Sequence, residues 1–164
     1  MPSASRGMVE TAPYEIRRAQ LGDAAEMTRL AEQLGYPMTV AQMTERLAAL
    51  LPNGRHCIAV AASGAHLLGR VHVEHRSSLE LGDRAELMAL VVDSSARRRG
   101  LGRELVEYAE AWGRSRGLAV LTVRSNAARE LSHPFYEALG YARDKTQHVY
   151  SKVLQIPPEA ACRT

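Results

Sequence analysis

Between the wholly apolar run Leu87-Met88-Ala89-Leu90-Val91-Val92 and an amphipathic stretch starting at Leu101 stands the hexapeptide Arg97-Arg98-Arg99-Gly100-Leu101-Gly102. A strand, a glycine turn and a helix start are the parts of an anion cradle. Glycines let backbone N–H groups approach a ligand with no Cβ in the way, and the first turn of a helix offers unpaired donors with partial positive charge. The arginines add full charges, so a diphosphate suits the segment. It is not a nucleoside triphosphate loop, because the Gly-x-x-x-x-Gly-Lys-Ser/Thr pattern is missing, nor a dinucleotide fingerprint, because only one Gly-x-Gly pair is present. The bland alternative is a basic helix start whose glycines serve a tight turn.

Other reactive side chains are scattered. His72 and His75 flank Glu74, but no further cluster completes a ligand set, and alternation on an exposed hairpin accounts for them, so no metal is expected. His56 and His66 fall at strand edges, where solvation is the ordinary state. Cys57 and Cys162 are too few and too separated for a disulfide framework or a zinc site.

The elements that must position these groups follow from periodicity. Tyr14 to Arg18 alternates as a short strand, and Asp23 can cap a helix beginning at Ala24, with Met27, Leu30, Ala31 and Leu34 at helical spacing. Gly35-Tyr36-Pro37 breaks it, and Val40, Met43, Leu47 and Leu50 mark a second helix that stops at Pro52-Asn53-Gly54. Cys57 to Ala61 and Leu67 to Glu74, joined at Ser63-Gly64, read as a hairpin with Val71 and Val73 alternating against Arg70 and His72. After a polar loop around Gly82-Asp83, Leu87 to Val92 is apolar on both faces, as a central strand should be. Leu101, Leu105, Tyr108 and Trp112 then form one helical stripe, ending at Gly117. Leu118 to Val123 predicts a strand, Leu131 to Leu139 a short helix stopped by Gly140, and Gln147 to Val153 a last strand, with one more short strand near Tyr141. The order is that of an α/β fold with a mixed sheet and helices on both faces.

Composition agrees with one folded unit. The chain has 164 residues, 46% hydrophobic and 24% charged, enough to bury a core without disulfides. The expected organisation is a flexible tail over residues 1–12, a domain over 13–156 and a second tail over 157–164. No stretch reaches the roughly 18 unbroken apolar residues of a membrane span, and the first twelve residues have no apolar h-region, so neither a membrane nor a secreted protein is expected. A cytoplasmic location follows as the expectation. The net charge of +3 would attract an anionic cofactor but hardly a long phosphate backbone, and 5% aromatic residues argue against a base-stacking surface, so nucleic acid is not an expected partner.

The hexapeptide fits the pattern Gln/Arg-x-x-Gly-x-Gly/Ala of the GNAT N-acetyltransferase superfamily. A second match lies in Phe135-Tyr136-Glu137-Ala138-Leu139-Gly140-Tyr141, which resembles that family's Phe-Tyr-Glu-x-Leu-Gly-Phe/Tyr segment. The chain from about Tyr14 to Leu154 resembles the GNAT fold in element order. That resemblance implies a mixed sheet of about six or seven strands, about four helices on both faces, and two splayed central strands forming a cleft for acetyl-CoA as cosubstrate. It implies backbone pairing of the pantetheine arm near Leu90, Val91 and Val92. The pyrophosphate would be held by Arg97, Arg98, Arg99, Gly100, Leu101, Gly102 and Arg103, with Asn126 and His133 as further contacts.

For a primary amine of a small molecule as acceptor, the resemblance implies Tyr136 as the acid that protonates the departing sulfur. Glu86, fourteen positions before Gly100, resembles the glutamate that serves some members as base. Deprotonating an alkyl ammonium at pH 7 costs about 4 kcal/mol, so a base is useful. Glu80 and Asp83 beside Glu86 make an acidic stretch suited to a cationic amine, and His148 is a further expected substrate contact. The competing reading is a non-catalytic acyl-CoA-binding sensor or interaction domain. Dimers are common in the family, which leaves a homodimer open.

Overall fold

The computed structural model describes residues 13–126 and 132–156. The element order is β1 (Glu15–Arg18), α1 (Ala24–Gln33), α2 (Val40–Leu50), β2 (His56–Ser63), β3 (His66–Ser78), β4 (Gly82–Val92), α3 (Leu101–Ser115), β5 (Leu121–Val123) and α4 (Ser132–Ala138), with short 3-10 turns at Leu21–Asp23 and Ser94–Ala96. The chain divides into two units, one ending at Arg124 and the other beginning at Ser125. The expected tails and the start of the predicted helix at Leu131 lie outside the described residues.

In the first unit the five strands lie in the order β1-β2-β3-β4-β5, antiparallel except for the parallel pair β4 and β5. Apart from its two ends, β2 is buried on both faces. Ile58, Val60 and Ala62 join Met27, Leu30, Met43 and Leu47 of α1 and α2 in one core. Cys57, Ala59 and Ala61 alternate to the other face, where α3 lies across β2, β3 and β4 with Leu105, Val106 and Ala109 buried. Helices therefore cover both faces, as expected.

Capping departs from expectation. The Asp23 carboxylate makes no cap for α1; it accepts from Arg17 Nη1 and Nη2 at 2.8 and 2.9 Å and from the Gln20 amide at 2.8 Å. Thr39 and Gln42 form the reciprocal cap at the start of α2, an Ncap and N3 pair.

The sheet has fewer strands than expected. Residues 141–156 form neither helix nor strand, so the predicted strand Gln147 to Val153 and the short one near Tyr141 are absent, and Val149, Tyr150, Val153 and Leu154 are exposed. Their alternating apolar pattern is a local property, whereas a strand exists only where a neighbour completes its ladder. The hairpin is longer than expected: β3 and β4 pair from Gly69↔Val92 out to Ser78↔Gly82, so Gly82 and Asp83, read as part of a polar loop, are strand residues.

Candidate active site

β4 carries the first feature. Its register with β3 slips between His72↔Ala89 and Val73↔Leu87, leaving Met88 as an extra, bulged residue. On its other side β4 pairs with β5 only at Ala85↔Leu121, Glu86↔Thr122 and Leu87↔Val123. From Met88 to Val92, among the described residues, that edge has no strand partner, because β5 ends at Val123, opposite the residue before the bulge. Leu90 and Val92 are half-buried on this open edge, while the Val91 side chain is buried in the core with α1 and α2.

The chain then turns into the cradle. Arg98, at φ 61°, and Gly100, at φ 82°, both adopt the left-handed conformation, and Gly100 is the N-cap of α3 with no side-chain cap. Two left-handed residues before a helix start aim successive backbone N–H groups at one concavity, an anion nest. The first helical bond, Glu104 N–H to Gly100 carbonyl at 3.1 Å, leaves the preceding amides of the first turn free of intrahelical partners. Arg97, Arg98, Arg99 and Arg103 are exposed around it, Arg97 donating from Nε to the Val92 carbonyl at 3.3 Å, while Leu101 is buried and Gly102 half-buried. The residues present thus fit a diphosphate followed by an extended polar arm along β4.

Immediately before the cradle, Asp93 is buried and ties the end of β4 to α1 and β3. Its carboxylate accepts from Arg29 Nη1 at 3.0 Å and Gln33 Nε2 at 3.2 Å, with His66 Nε2 at 3.1 Å. Burial alone would push its pKa up, but the hydrogen bonds from Gln33 and the Ser95 amide, with the Arg29 guanidinium, outweigh that and hold it at about 2. Sequence reading missed this network, because it joins Asp93 to residues 27 to 64 positions away.

Glu86 lies within β4 at 2% exposure. Its Oε1 accepts from Arg76 Nη1 at 3.0 Å and stands 3.1 Å from Arg124 Nε, while Oε2 is 3.9 Å from Arg84 Nη2 and has no hydrogen-bond partner. Of the acidic stretch read from the sequence, Glu86 is therefore already neutralised by arginines. Asp83 sits 3.1 Å from His75 Nε2 and accepts from the Ser77 hydroxyl, and Glu80 is exposed at the hairpin tip, away from any enclosed site.

A cavity of about 320 Å³ opens on the face of the sheet covered by α1 and α2. Methionines from both helices line it with Ile58 of β2, and its sheet side includes Arg70 and His72 of β3 and Met88 and Ala89 at the β4 bulge. His72 lies 3.1 Å from His56 Nδ1 through its Nε2, and burial, with His56 and Arg70 nearby, lowers its pKa from the ordinary 6.5 to about 4. The imidazole is neutral at pH 7. Arg70 and His72 were read as the solvent side of an exposed hairpin; the signal that could have found them is the continuous apolar run in β2, which requires its neighbour to be covered on both faces. Another hollow, along Lys152 to Gln155, is bounded by one stretch of backbone only.

In the second unit, Tyr136 lies on α4, half-buried, with its ring edge-on to Phe135 at 5.0 Å and Tyr141 at 5.8 Å. The Tyr136 carbonyl accepts from the amides of Leu139 and Tyr141, closing the helix before Gly140 at φ 91°. His133 is half-buried in the first turn of the same helix, and Asn126 is exposed three residues after β5. His148 is exposed with its ring 6.4 Å from that of Tyr150, on a segment without secondary structure. Among the described residues no group of three or more His, Cys, Asp or Glu side chains could hold a metal ion, and no helix is long and apolar enough to cross a membrane.

Residues 17–141 match the family model described as Acetyltransferase (GNAT) family. An uncharacterized N-acetyltransferase of Bacillus subtilis is 33% identical over 61 residues, 37% of this chain and 43% of that protein, so the matched segment spans less than half of that curated relative. Among solved structures, glucosamine-6-phosphate N-acetyltransferase from Arabidopsis thaliana superposes with a TM-score of 0.73 at 20% identity, covering 85% of this chain and 98% of the other. AAC(6')-Iy in complex with a bisubstrate analogue, CoA-S-monomethyl-acetylneamine, gives 0.77 at 18% identity, covering 87% and 99%.

Proposed function

Since the chain belongs to the GNAT acetyltransferase family, we propose that it transfers the acetyl group of acetyl-CoA directly to a primary amine of a small molecule. The observation that carries this reading is the edge of β4 left without a strand partner after Leu87, leading to a left-handed Arg98 and Gly100 at the start of α3. Such a surface offers an unpaired strand edge for an extended arm with amide groups, and a nest of N–H donors with four arginines for its phosphates. The thioester supplies the activated acyl carbon.

The protein's own residues then hold and move protons. The open edge from Met88 to Val92 orients the arm, so that the acyl end lies by the bulge, and Arg97 to Arg103 bind the diphosphate. Asn126 and His133 make further contacts to the arm. Glu86, through the Oε2 that has no hydrogen-bond partner, draws the proton from the incoming ammonium by way of a water. Tyr136 gives its phenolic proton to the sulfur as it leaves. The ring contacts with Phe135 and Tyr141 fix the plane in which that hydroxyl lies. A small-molecule acceptor is supported by the size of the cavity beside the bulge and by neighbours whose names specify glucosamine 6-phosphate and an acetylneamine conjugate. The protein works in the cytoplasm, where acetyl-CoA is made.

The test is binding. A hundredfold excess of acetyl-CoA over its Kd should stabilise the fold by about 2.7 kcal/mol, and desulfo-CoA should do the same. Gly100→Glu places a side chain on a left-handed residue and a negative charge in the nest, so its thermal shift with either ligand is expected to vanish while the protein stays folded. An undiminished shift in that variant would remove the cradle from the cofactor site.

A further inference from the structure

The cavity beneath α1 and α2 contains a charge that the protein does not balance. Arg70 is 9% exposed, its Nε has no hydrogen-bond partner, and among the described residues no carboxylate pairs with it. Other arginines held against the sheet and helices have a carboxylate within 4 Å: Arg17 has Asp23, Arg29 has Glu26 and Asp93, and Arg76, Arg84 and Arg124 share Glu86, Arg84 at 3.9 Å with its Nε and Nη1 lacking hydrogen-bond partners. Burial pushes the Arg70 guanidinium below its ordinary value, yet an arginine keeps its proton, so the cost of desolvating the cation stands uncompensated. The residues bordering the cavity include a second arginine, Arg46, and no Asp or Glu. The remaining wall is mainly hydrocarbon and thioether, Met27, Leu34, Met38, Met43, Leu47 and Ile58 among it, with one phenol, Tyr36.

Three properties therefore converge. One side of the cavity asks for an anion, another for an apolar body, and Met88 and Ala89 belong both to its lining and to the open edge of β4. His72, neutral at pH 7, adds no competing charge. Methionine walls adapt to more than one hydrocarbon shape, and a volume of about 320 Å³ is that of an amino-acid-sized ligand, at the small end of ligand pockets.

We infer that the acceptor is an amino carboxylate with an apolar side chain, whose carboxylate pairs with Arg70, whose side chain fills the methionine-lined wall, and whose amine faces the Met88–Ala89 bulge. This rests on the transferase reading and names its substrate class. In the reaction the amine nitrogen forms a bond to the acyl carbon and the carbon–sulfur bond breaks; of the two protons the ammonium gives up, one leaves through Glu86 to water and the other replaces the proton that Tyr136 passes to the departing sulfur, giving an N-acetyl amino carboxylate, CoA thiol and one released proton. A polycationic acceptor is disfavoured, since it would bring like charge to Arg70 and Arg46.

The test compares matched acceptors on the full chain. Initial rates of thiol release are measured with leucine, methionine and phenylalanine against leucinamide, 3-methylbutylamine, glucosamine 6-phosphate and neamine, and binding of leucine without acetyl-CoA is followed by calorimetry. Leucine or one of its apolar relatives is expected to exceed leucinamide and 3-methylbutylamine by about a hundredfold in kcat/KM, chiefly through KM, as for a desolvated charge pair. In Arg70→Met that preference should collapse to within about threefold, with Arg70→Lys intermediate. An unchanged thermal shift with acetyl-CoA certifies that each variant is folded. Should Arg70→Met not fold, the wild-type preference and the Arg70→Lys series decide alone.

Acetyl-CoA binding with preferred turnover of the amide, the decarboxylated amine, the sugar phosphate or neamine overturns the inference and leaves the transferase intact. So does a carboxylate preference that survives Arg70→Met, or acetyl-CoA binding with no binding or turnover of any amino carboxylate. Failure of acetyl-CoA to bind, with leucine still held in an Arg70-dependent way, overturns the transferase reading and leaves the anion site standing.

Discussion

An amine reaching this site is an ammonium at neutral pH, and freeing its lone pair costs about 4 kcal/mol before any bond to carbon forms. In the proposed mechanism Glu86 is the carboxylate that shares that cost. Glu86→Gln should lower turnover mainly below about pH 8 and matter less in alkali, where the amine deprotonates unaided. Because three guanidinium groups lose their counter-charge, its Tm should fall as well. A pH–rate profile that keeps the wild-type rate and shape, with only the Tm lowered, would reduce Glu86 to an arginine hub. For Tyr136, substitution by Phe keeps the ring packed and deletes only the hydroxyl. A positioned acid contributes about a hundredfold to ten-thousandfold, so steady-state thiol release should show kcat reduced within that range, with acetyl-CoA binding unaltered. Less than a threefold loss would reject the role. The cradle and the tyrosine segment were legible in the sequence because each is a short contiguous pattern. Arg70 was not, because its isolation depends on which elements roof β3, and the charge balance of Glu86 was not, because its three partners come from β3, β4 and the end of β5.

At the level of elements, the cleft depends on how closely α3 lies on the sheet. Alanines at 59 and 61 and a glycine at 69 make that face shallow. A Cβ built on Gly69 would stand 2.8 Å from the Val91 carbonyl and 3.0 Å from Leu105 Cδ1, so backbone, and not merely a side chain, would have to give way. Gly69→Ala is expected to cost about 1–3 kcal/mol of overpacking, read in thermal unfolding as a Tm lowered by roughly 2–4 °C per kcal/mol. A Tm unchanged within error would mean that α3 can shift away freely. The helices were largely legible, since amphipathic spacing and breakers such as Gly35-Tyr36-Pro37 and Gly117 act locally. Strand ends were legible less well: β4 starts five residues before the apolar run, because the polar segment Gly82 to Glu86 is held by pairing with β3 and not by its own hydrophobicity. The bulge at Met88, which marks where the cleft opens, has no signature in a run that is apolar throughout.

Across the whole molecule the charges are nearly balanced, +3 in all, and the paired ones hold distant elements together. Asp93 is the clearest case: α1 supplies Arg29 and Gln33, the start of β3 supplies His66, and the carboxylate stands at the end of β4, directly before the cradle. Its folded-state pKa of about 2 lies below the ordinary 3.8, so its contribution to stability is fully present above pH 4 and disappears as the pH falls through about 2. Linkage puts that contribution on the order of 2 kcal/mol. Glu26 and Asp23, held low chiefly by hydrogen bonds from Arg29 and Arg17, act in the same direction and steepen the loss. Urea unfolding between pH 7 and pH 2.5 should therefore show wild-type stability declining below about pH 4. Asp93→Asn should start lower by an amount of that order at pH 7 and decline less steeply, because its amide does not titrate. If the two proteins lost stability in parallel across that range, the acid sensitivity would belong to the other carboxylates, and Asp93 would contribute at the end of β4 through hydrogen bonding alone.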